Sequence, residues 1–451
     1  MPAEPRTIAE LARALRAGEV SSVSITQRCL ARIEERNPAL NAFIAVLAGD
    51  ALADARRADA ELSKGVDRGP LHGVPISVKD LIDLRGVPTT AASRVRDGHI
   101  AGRDAEIATR LREAGAVFLG KTNLHEFAFG TTNEDSAFGP VRHPLDTNRS
   151  PGGSSGGSAA SVLDGTAIAS IGTDTGGSVR IPAAVCGLVG LKPSVGEISV
   201  DGVVPLSTTM DHVGPLCTSV DDASVLYDVL RGATPERREA AGVAGVKLGI
   251  PRTYFLSMLD AHVAGAFEAL CARLSDAGAV LEDVEIPHAA DIAPIYLHIV
   301  LSEAAAYHAK MLESRADDYT PNVRIRLEMG RYILAEDYVR ALRGRQILIG
   351  EVNAALRGRG GLLLPSLSIV APKLGTTTVK IGGVDEPIRN VMLRLTQLFN
   401  VTGHPAISIP CGATAEGLPI GAQLVGAINR THDLLRLAAA AEPYFGPGTS
   451  R

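Results

Sequence analysis

The chain has 451 residues, 45 Lys and Arg against 50 Asp and Glu for a formal charge of −5, 45% hydrophobic and only 4% aromatic residues, and no Trp. This is the profile of a globular protein, which excludes disordered, collagen-like and channel-forming chains; at roughly 150 residues per domain it allows two or three domains or one large α/β unit. The negative charge argues against nucleic acid as the main partner, because neutralising phosphates needs a basic surface.

In chain order, Thr7 with Glu10 forms a capping box, in which hydroxyl and carboxylate satisfy free N–H groups at a helix start, and Ile8, Leu11 and Leu15 follow at helical spacing. A second helical pattern (Ile25, Cys29, Leu30, Ile33) is expected to stop at Asn37-Pro38, and a third to run from about Ala51 to Leu62. From Gly73 onward short apolar runs bounded by Gly and Pro (VPISV, AVFLG, AIASIG, LVGLKP, then LLLPS, PAISIPC and IGAQLVG) read as buried strands. Helical stretches such as EIATRLREAG and SSGGSAASVL alternate with them, the pattern of a sheet with helices on both faces. The expected fold class is therefore α/β, a central mixed sheet flanked by helices. One domain spans 1–451: N-terminal helices over 1–65, a core over 70–230, a mostly helical insertion over 260–357 and core strands with a helix over 360–451. Residues 232–246 read as a surface connection.

The five cysteines (Cys29, Cys186, Cys217, Cys271, Cys411) are odd in number, scattered and never C-x-x-C, so neither a disulfide framework nor a zinc site is indicated. The N-terminus, MPAEPRTIAELARAL, lacks the basic region and apolar stretch of a signal peptide. These features predict a cytoplasmic location. The apolar stretch from Ala167 to Leu191 contains Asp174 and Arg180 and is broken by Pro182, so no membrane span is expected there.

Three segments stand out for chemistry. Lys79 ends the VPISVK run, where alternation points Ser77 and Lys79 one way and Ile76 and Val78 the other. Taken alone it is a solvated strand-end lysine; held in a dry site, its pKa would fall far enough for the neutral amine to act as a base. The run PGGSSGGSA has the composition of a flexible linker, yet it lies between a turn at Pro144-Leu145-Asp146 and an Ala-rich helical stretch, placing its serines at a helix N-terminus between buried elements. No Lys follows its glycines, so it is no phosphate-binding loop. In GTDTGGSVRIP, Ser178 falls in a tight strand-to-helix turn. There Gly176 and Gly177 remove side chains where backbone N–H groups would converge on a carbonyl oxygen. The alternative is a plain glycine turn. Around Ser178 the segment reads Gly176-Gly177-Ser178-Val179-Arg180, without the G-x-S-x-G elbow of an α/β-hydrolase. His72, His125-Glu126 and His404 show no metal-ligand spacing, so no metal is expected, and no flavin, nicotinamide or other cofactor site is indicated.

Together these segments resemble the amidase signature family, through Gly152-Gly153-Ser154-Ser155-Gly156-Gly157-Ser158 and Gly172-Thr173-Asp174-Thr175-Gly176-Gly177-Ser178. The resemblance extends over GPLHGVPISVKD, LGKTNLHEFAFG, VGLKPS, DHVGPL and TGHPAISIPCG…GLPIGAQLVG, leaving about 285–390 unfamiliar. It implies a Ser–cis-Ser–Lys triad of Ser178 as nucleophile, Ser154 as bridge and Lys79 as base. The family's interval of 24 positions between the serines selects Ser154 over Ser155. It further implies an oxyanion hole from Thr175, Gly176, Gly177 and Ser178, support from Ser155, Thr173, Asp174 and Arg180, and an acyl pocket lined by Phe127, Ala128, Phe129, Gly130 and Thr131. For Phe127 and Phe129 a core aromatic pair is an equally good account.

The implied activity is hydrolysis of C–N bonds in small amides, with carbamates and ureides served by the same triad; the small-molecule substrate is the expected partner, and a homodimer is compatible with the family. A second reading is the glutamine-hydrolysing subunit of a tRNA-dependent amidotransferase. There, an Asp lies twelve residues before the proline matching Pro405 and holds the glutamine ammonium; in this chain Leu393 stands at that place instead. A third reading, a non-catalytic binding protein on the same fold, would be expected to lack Lys79, Ser154 or Ser178, and all three are present.

Overall fold

A computed structural model of the protein describes residues 5–236 and 242–446, so the middle of the expected 232–246 connection lies outside the described residues. The strands are β1 (Phe43–Val46), β2 (Pro75–Lys79), β3 (Val117–Thr122), β4 (Ala169–Asp174), β5 (Val189–Lys192), β6 (His212–Cys217), β7 (Lys247–Pro251), β8 (Val280–Val284), β9 (Gly361–Pro365), β10 (Thr378–Ile381), β11 (Val384–Pro387), β12 (Ala406–Ala413) and β13 (Pro419–Val425). Eleven of them form one sheet in the order β1-β3-β2-β4-β6-β5-β12-β13-β9-β7-β8, while β10 and β11 pair as a separate hairpin. The sheet is mixed: β2 runs parallel to β3 and β4, whereas β4 and β6, and β12 and β13, are antiparallel. Strands from both sides of the helical block thus share one sheet.

Each apolar run singled out in the sequence forms a strand, and β2, β3, β4, β5, β9 and β13 are buried along their whole length. That is what a sheet covered by helices on both faces requires: continuous apolar sequence rather than alternation. The fold is accordingly α/β. The first helix, Ile8–Arg16, begins at the expected capping box, with Thr7 accepting from the Glu10 N–H.

One expectation is corrected and one is refined. The second helix, Ser22–Leu40, runs through Pro38 instead of stopping before it. In the last turn Pro38 forfeits one backbone hydrogen bond, and the turn is closed by the Asn41 N–H donating to Asn37 O at 2.7 Å, with Asn41 in the left-handed region at φ 53°. The 260–357 block is helical over Ala261–Asp276, Ile292–Arg315, Pro321–Gly330 and Ala335–Leu356, but it also contributes β8, which lies parallel to β7 at the sheet edge. An edge strand is only half covered, so its sequence, VLEDV, carries no continuous apolar signal.

The segment Ala289–Asp318 is long and apolar enough to cross a membrane by length and composition. Here Ile292, Tyr296, Ile299, Val300 and Ala304 are buried within the protein.

The middle of the sheet carries the core. Ile407 on β12 lies opposite Leu191 of β5 and Leu424 of β13 and is fully buried. Ile407→Ala is expected to destabilise the protein by about 3 kcal/mol through lost burial and the cavity left behind. The shift in an equilibrium urea-unfolding midpoint measures it.

Candidate active site

Lys79 ends β2, next to β4, and its side chain is fully buried. Its Nζ donates to Ser154 Oγ at 2.8 Å, Ser155 Oγ at 2.9 Å and Thr173 Oγ1 at 2.8 Å. No carboxylate touches it among the described residues. The adjacent Asp80 turns to the other side of the strand and pairs with buried Lys121 at 2.8 Å. Burial dominates the electrostatics of Lys79 and pushes its pKa down to about 7, with the charges of Asp174 and Asp211 only partly opposing the shift.

The hydrogen-bond inventory distinguishes the two serines. An ammonium has three protons for three acceptors, whereas a neutral amine has two protons and a lone pair, so one hydroxyl must then donate to it. Ser155 is committed elsewhere, because its hydroxyl donates to Thr173 O at 3.2 Å. Ser154 Oγ has no hydrogen bond other than that to Lys79 among the described residues, which leaves its proton free to move. The Gly153–Ser154 peptide is cis. The loop before it is close-packed: a methyl group on Gly153 would meet Asn133 N at 2.8 Å and the Thr131 carbonyl carbon at 3.1 Å, and His125 N–H donates to Ser154 O at 3.1 Å.

Ser178 lies between the end of β4 and the helix Arg180–Cys186, in the expected turn. The Ser155 N–H donates to Ser178 O at 3.3 Å, bringing the two serine segments together. Ser178 Oγ is not hydrogen-bonded to Ser154 among the described residues; catalytic hydrogen bonds often close only around substrate. The backbone N–H groups of Thr175, Gly176, Gly177 and Ser178 donate to no acceptor among the described residues, whereas those of Val179 and Arg180 are taken by the Asp174 carboxylate. Four consecutive unpaired donors in a buried turn are what an incoming oxyanion needs. Gly177, at φ 141°, has the backbone conformation that favours glycine, and a methyl group there would lie 2.3 Å from Thr396 Oγ1.

The turn is held by a buried polar knot. Arg180 Nε and Nη2 donate to Asp174 at 3.1 Å each, Arg180 Nη2 also to Asn400 Oδ1 at 2.7 Å, and Arg180 Nη1 to Gln423 Oε1 at 3.0 Å. Burial alone would raise the pKa of Asp174, but the adjacent Arg180 guanidinium overrides it and holds the carboxyl well below the usual range. Neutral His212 donates from Nδ1 to Met210 O at 2.7 Å and lies 3.3 Å through Nε2 from the buried amine of Lys192. On the other side, Thr175 Oγ1 donates to Asp211 at 2.5 Å, and burial pushes the Asp211 carboxyl up to about 6. Glu303 of the helical block accepts from Ser207 Oγ at 2.5 Å and Thr209 Oγ1 at 2.8 Å, tying the Asp211 loop to that block.

Sequence reasoning missed Asp211, Tyr296, Thr396, Asn400 and Gln423. Thr396 Oγ1 donates to Gly176 O at 2.6 Å, and a methyl group on Gly176 would come within 2.5 Å of the Tyr296 hydroxyl. The available signals were a polar Gln423 inside the apolar run IGAQLVG and the place of Asp211 at the head of DHVGPL. The expected acyl-pocket residues divide. Ala128 borders the same small cavity as Thr173, Thr175 and Asp211, Thr131 abuts Gly153, and Gly130 packs so closely on the His125 ring that a methyl group would fall 2.1 Å from it. Phe129 lies beneath two guanidinium groups, Arg326 and Arg389. Phe127 packs edge-on to His308, 4.3 Å between ring centres, and near Tyr319, as a core aromatic. His125 lies 3.1 Å from Asp135, His72 lies 3.0 Å from Glu61, and His404 meets Thr402 and Asn353.

An α/β sheet carrying a buried lysine, two serines and a run of backbone donors unpaired among the described residues is an arrangement able to support acyl transfer. A family profile described as amidase matches residues 24–435, and the chain belongs to that family. It is similar to an amidase of Pseudomonas putida, 40% identical over 91% of this chain and 90% of the relative. It is also similar to a glutamyl-tRNA(Gln) amidotransferase subunit of Carboxydothermus hydrogenoformans, 35% identical over 96% of each chain. A crystal structure of an amidase superposes with a TM-score of 0.93 at 37% identity, covering 98% of this chain and all of the other.

Asp174→Ala strands the Arg180 guanidinium in the core without its counter-charge. It is expected to destabilise the protein by about 4 kcal/mol, because removing one partner of a buried pair leaves an uncompensated charge. Equilibrium denaturant unfolding of the variant against wild type checks this value.

Proposed function

We propose that the protein hydrolyses C–N bonds of small amides, with Ser178 as nucleophile, Ser154 as the bridging serine and Lys79 as the base. The observation that carries this reading is the Lys79 amine, wholly buried, 2.8 Å from Ser154 Oγ, with its pKa pushed down to about 7. A substantial fraction of Lys79 is then neutral at neutral pH. It takes the Ser154 proton while Ser154 takes that of Ser178, and Ser178 Oγ attacks the carbonyl carbon. The N–H groups of Thr175, Gly176, Gly177 and Ser178 stabilise the tetrahedral oxyanion, an effect of about 3 kcal/mol per donor. Ser154 returns a proton to the leaving amine, the acyl-enzyme forms, and water repeats the sequence to release a carboxylic acid. Asp174 and Arg180 hold the turn that aims the donors, and Ser155 and Thr173 solvate the lysine.

The amidotransferase relative supports a second reading, a glutamine-hydrolysing subunit. Leu393 speaks for the stand-alone amidase: it is buried, and its side chain lies 3.0 Å from a methyl group built on Gly176. An apolar side chain at that place offers nothing to a charged α-amine, and burying that amine unpaired is costly.

Two outcomes test the assignment. Wild type is expected to turn over at least one of an aryl acylamide, an aliphatic amide and an aryl carbamate without added protein, and Ser178→Ala to lose that activity by roughly 10⁴-fold or more. Turnover of glutamine alone overturns the stand-alone reading. Because Lys79 acts when neutral, kcat/KM is expected to fall about tenfold per unit as pH drops below about 7 and to level off above it. A pH–rate profile reads this, and in Lys79→Met the inflection near 7 disappears with the activity.

A further inference from the structure

One acid beside the proposed site has no part in the chemistry above. Asp211 precedes β6, and its carboxylate takes three donors: Thr175 Oγ1 at 2.5 Å on one oxygen, and the Leu206 and Ser207 N–H groups at 2.8 and 3.1 Å on the other. Thr175 opens the run of four backbone donors. Of the residues that follow, Gly176 and Gly177 have no side chain and Ser178 carries the reacting hydroxyl, so Thr175 alone offers a side chain by which the run can be held. That side chain is buried, and among the described residues its hydroxyl has no partner but Asp211. The wall beside the pair is apolar, formed by Leu81, Val203, Val204, Leu206 and Val213. In such surroundings a hydrogen bond to a charged group is stronger than in water.

Asp211 is itself fixed. Its loop is tied to the helical block through Glu303, which accepts from Ser207 Oγ at 2.5 Å and from the Thr209 N–H and Oγ1 at 3.1 and 2.8 Å, while Arg345 donates to Thr209 O at 3.0 Å. The charge of Asp211 counts as well. Asp211 and Thr175 line the same cavity of about 10 Å³ as Thr173, whose hydroxyl accepts from Lys79 Nζ, so the acid lies near the base without touching it. The charged and titratable groups around Asp211 are Lys79 on β2, Asp174 at the end of β4, Tyr296 and Glu303 on the Ile292–Arg315 helix, Arg345 on the Ala335–Leu356 helix, and its neighbour His212, which is neutral. Burial pushes the Asp211 carboxyl up to about 6 against the three hydrogen bonds that favour its charge, and burial holds Lys79 at about 7. The carboxylate is therefore ionised wherever Lys79 is neutral. As Lys79 gains the serine proton, a fixed negative charge nearby favours the ammonium that forms.

We propose that Asp211 is a positioning residue of the reaction: its carboxylate clamps the Thr175 side chain and so fixes the oxyanion donors, and its charge steadies Lys79 as that lysine takes on a proton. This rests on Lys79, Ser154 and Ser178 being the reacting groups. The two effects separate by chemistry. An Asn keeps one oxygen for the Leu206 and Ser207 N–H groups and turns its NH2 to the Thr175 hydroxyl, which can accept, so Asp211→Asn removes the charge and keeps the bond. Thr175→Val removes the bond and keeps the charge.

The test measures kcat and KM against pH, with the amide that wild type turns over fastest, for wild type, Asp211→Asn, Thr175→Val and Thr175→Ser. In Asp211→Asn the inflection near 7 is expected to move to lower pH by at least about 0.5, because the anion that favoured the ammonium is gone. In Thr175→Val kcat is expected to fall roughly 30-fold with KM within about threefold, the mark of a bond that counts in the transition state, and Thr175→Ser, which keeps the hydroxyl, recovers most of that loss. An inflection left in place in Asp211→Asn, or wild-type kcat in Thr175→Val, overturns the proposal. If Asp211→Asn does not fold, the Thr175 variants decide, and equal losses in Thr175→Val and Thr175→Ser overturn the clamp. The rate at which phenylmethanesulfonyl fluoride labels Ser178 gives a readout independent of amide turnover: the serine oxygen displaces fluoride from sulfur, the serine proton passes through Ser154 to Lys79, and the pH inflection of labelling moves the same way in Asp211→Asn. Labelling of Ser178 with an inflection that Asp211→Asn leaves unmoved keeps the serine–lysine reading and refutes the role of Asp211. Neither turnover nor labelling in wild type overturns that reading and the role of Asp211 with it.

Discussion

The dehydration of one lysine organises this site. Lys79 sits at the end of a strand covered on both faces, surrounded by hydroxyl groups and, among the described residues, touched by no carboxylate. A buried lysine ordinarily takes a counter-ion, which would keep it charged and useless as a base. Here strand alternation sends the neighbouring Asp80 to Lys121, and the acids that do reach Lys79 act only through the field of Asp174 and Asp211. Three hydroxyls solvate the amine without fixing its charge. That leaves protonation finely balanced near neutrality, the condition for general-base work.

The same economy of charge shapes the serine turn. Among the described residues its N–H donors stay free, the carboxylate of Asp174 capping only the next two, those of Val179 and Arg180. That carboxylate is held in place by Arg180, whose other hydrogens reach Asn400 and Gln423 from the C-terminal third of the chain. The knot spans more than two hundred residues of sequence, so the bracing of the turn draws on β13 as well as on its own residues. A buried ion pair of this kind contributes less to stability than to geometry, since its Coulombic attraction mainly offsets desolvation.

Around this centre the chain divides its labour. The sheet and the glycine-rich segments place lysine, serines and backbone donors, while the helical block presses Tyr296, Glu303 and Arg326 onto them from outside. Glu303 anchors the 206–211 loop, and through Asp211 that loop reaches Thr175.

Much of the architecture was legible from the sequence. The strands from VPISV to IGAQLVG were readable because full burial writes itself as continuous apolar residues, and the turn at Ser178 because glycines mark a backbone that side chains would block. The edge strand β8 and the run through Pro38 were not, since partial burial and a single forfeited hydrogen bond leave weak local signals. The sequence by itself determined the residue types and spacings, a lysine at a strand end and two serines among glycines, and these follow from local rules of alternation and backbone freedom. Only the tertiary structure decided which of those groups would be dry, which acids would be diverted, and that Arg326 and Arg389, 63 residues apart, would meet over Phe129. Burial and electrostatic partnership depend on neighbours distant in the chain, and no local pattern encodes them.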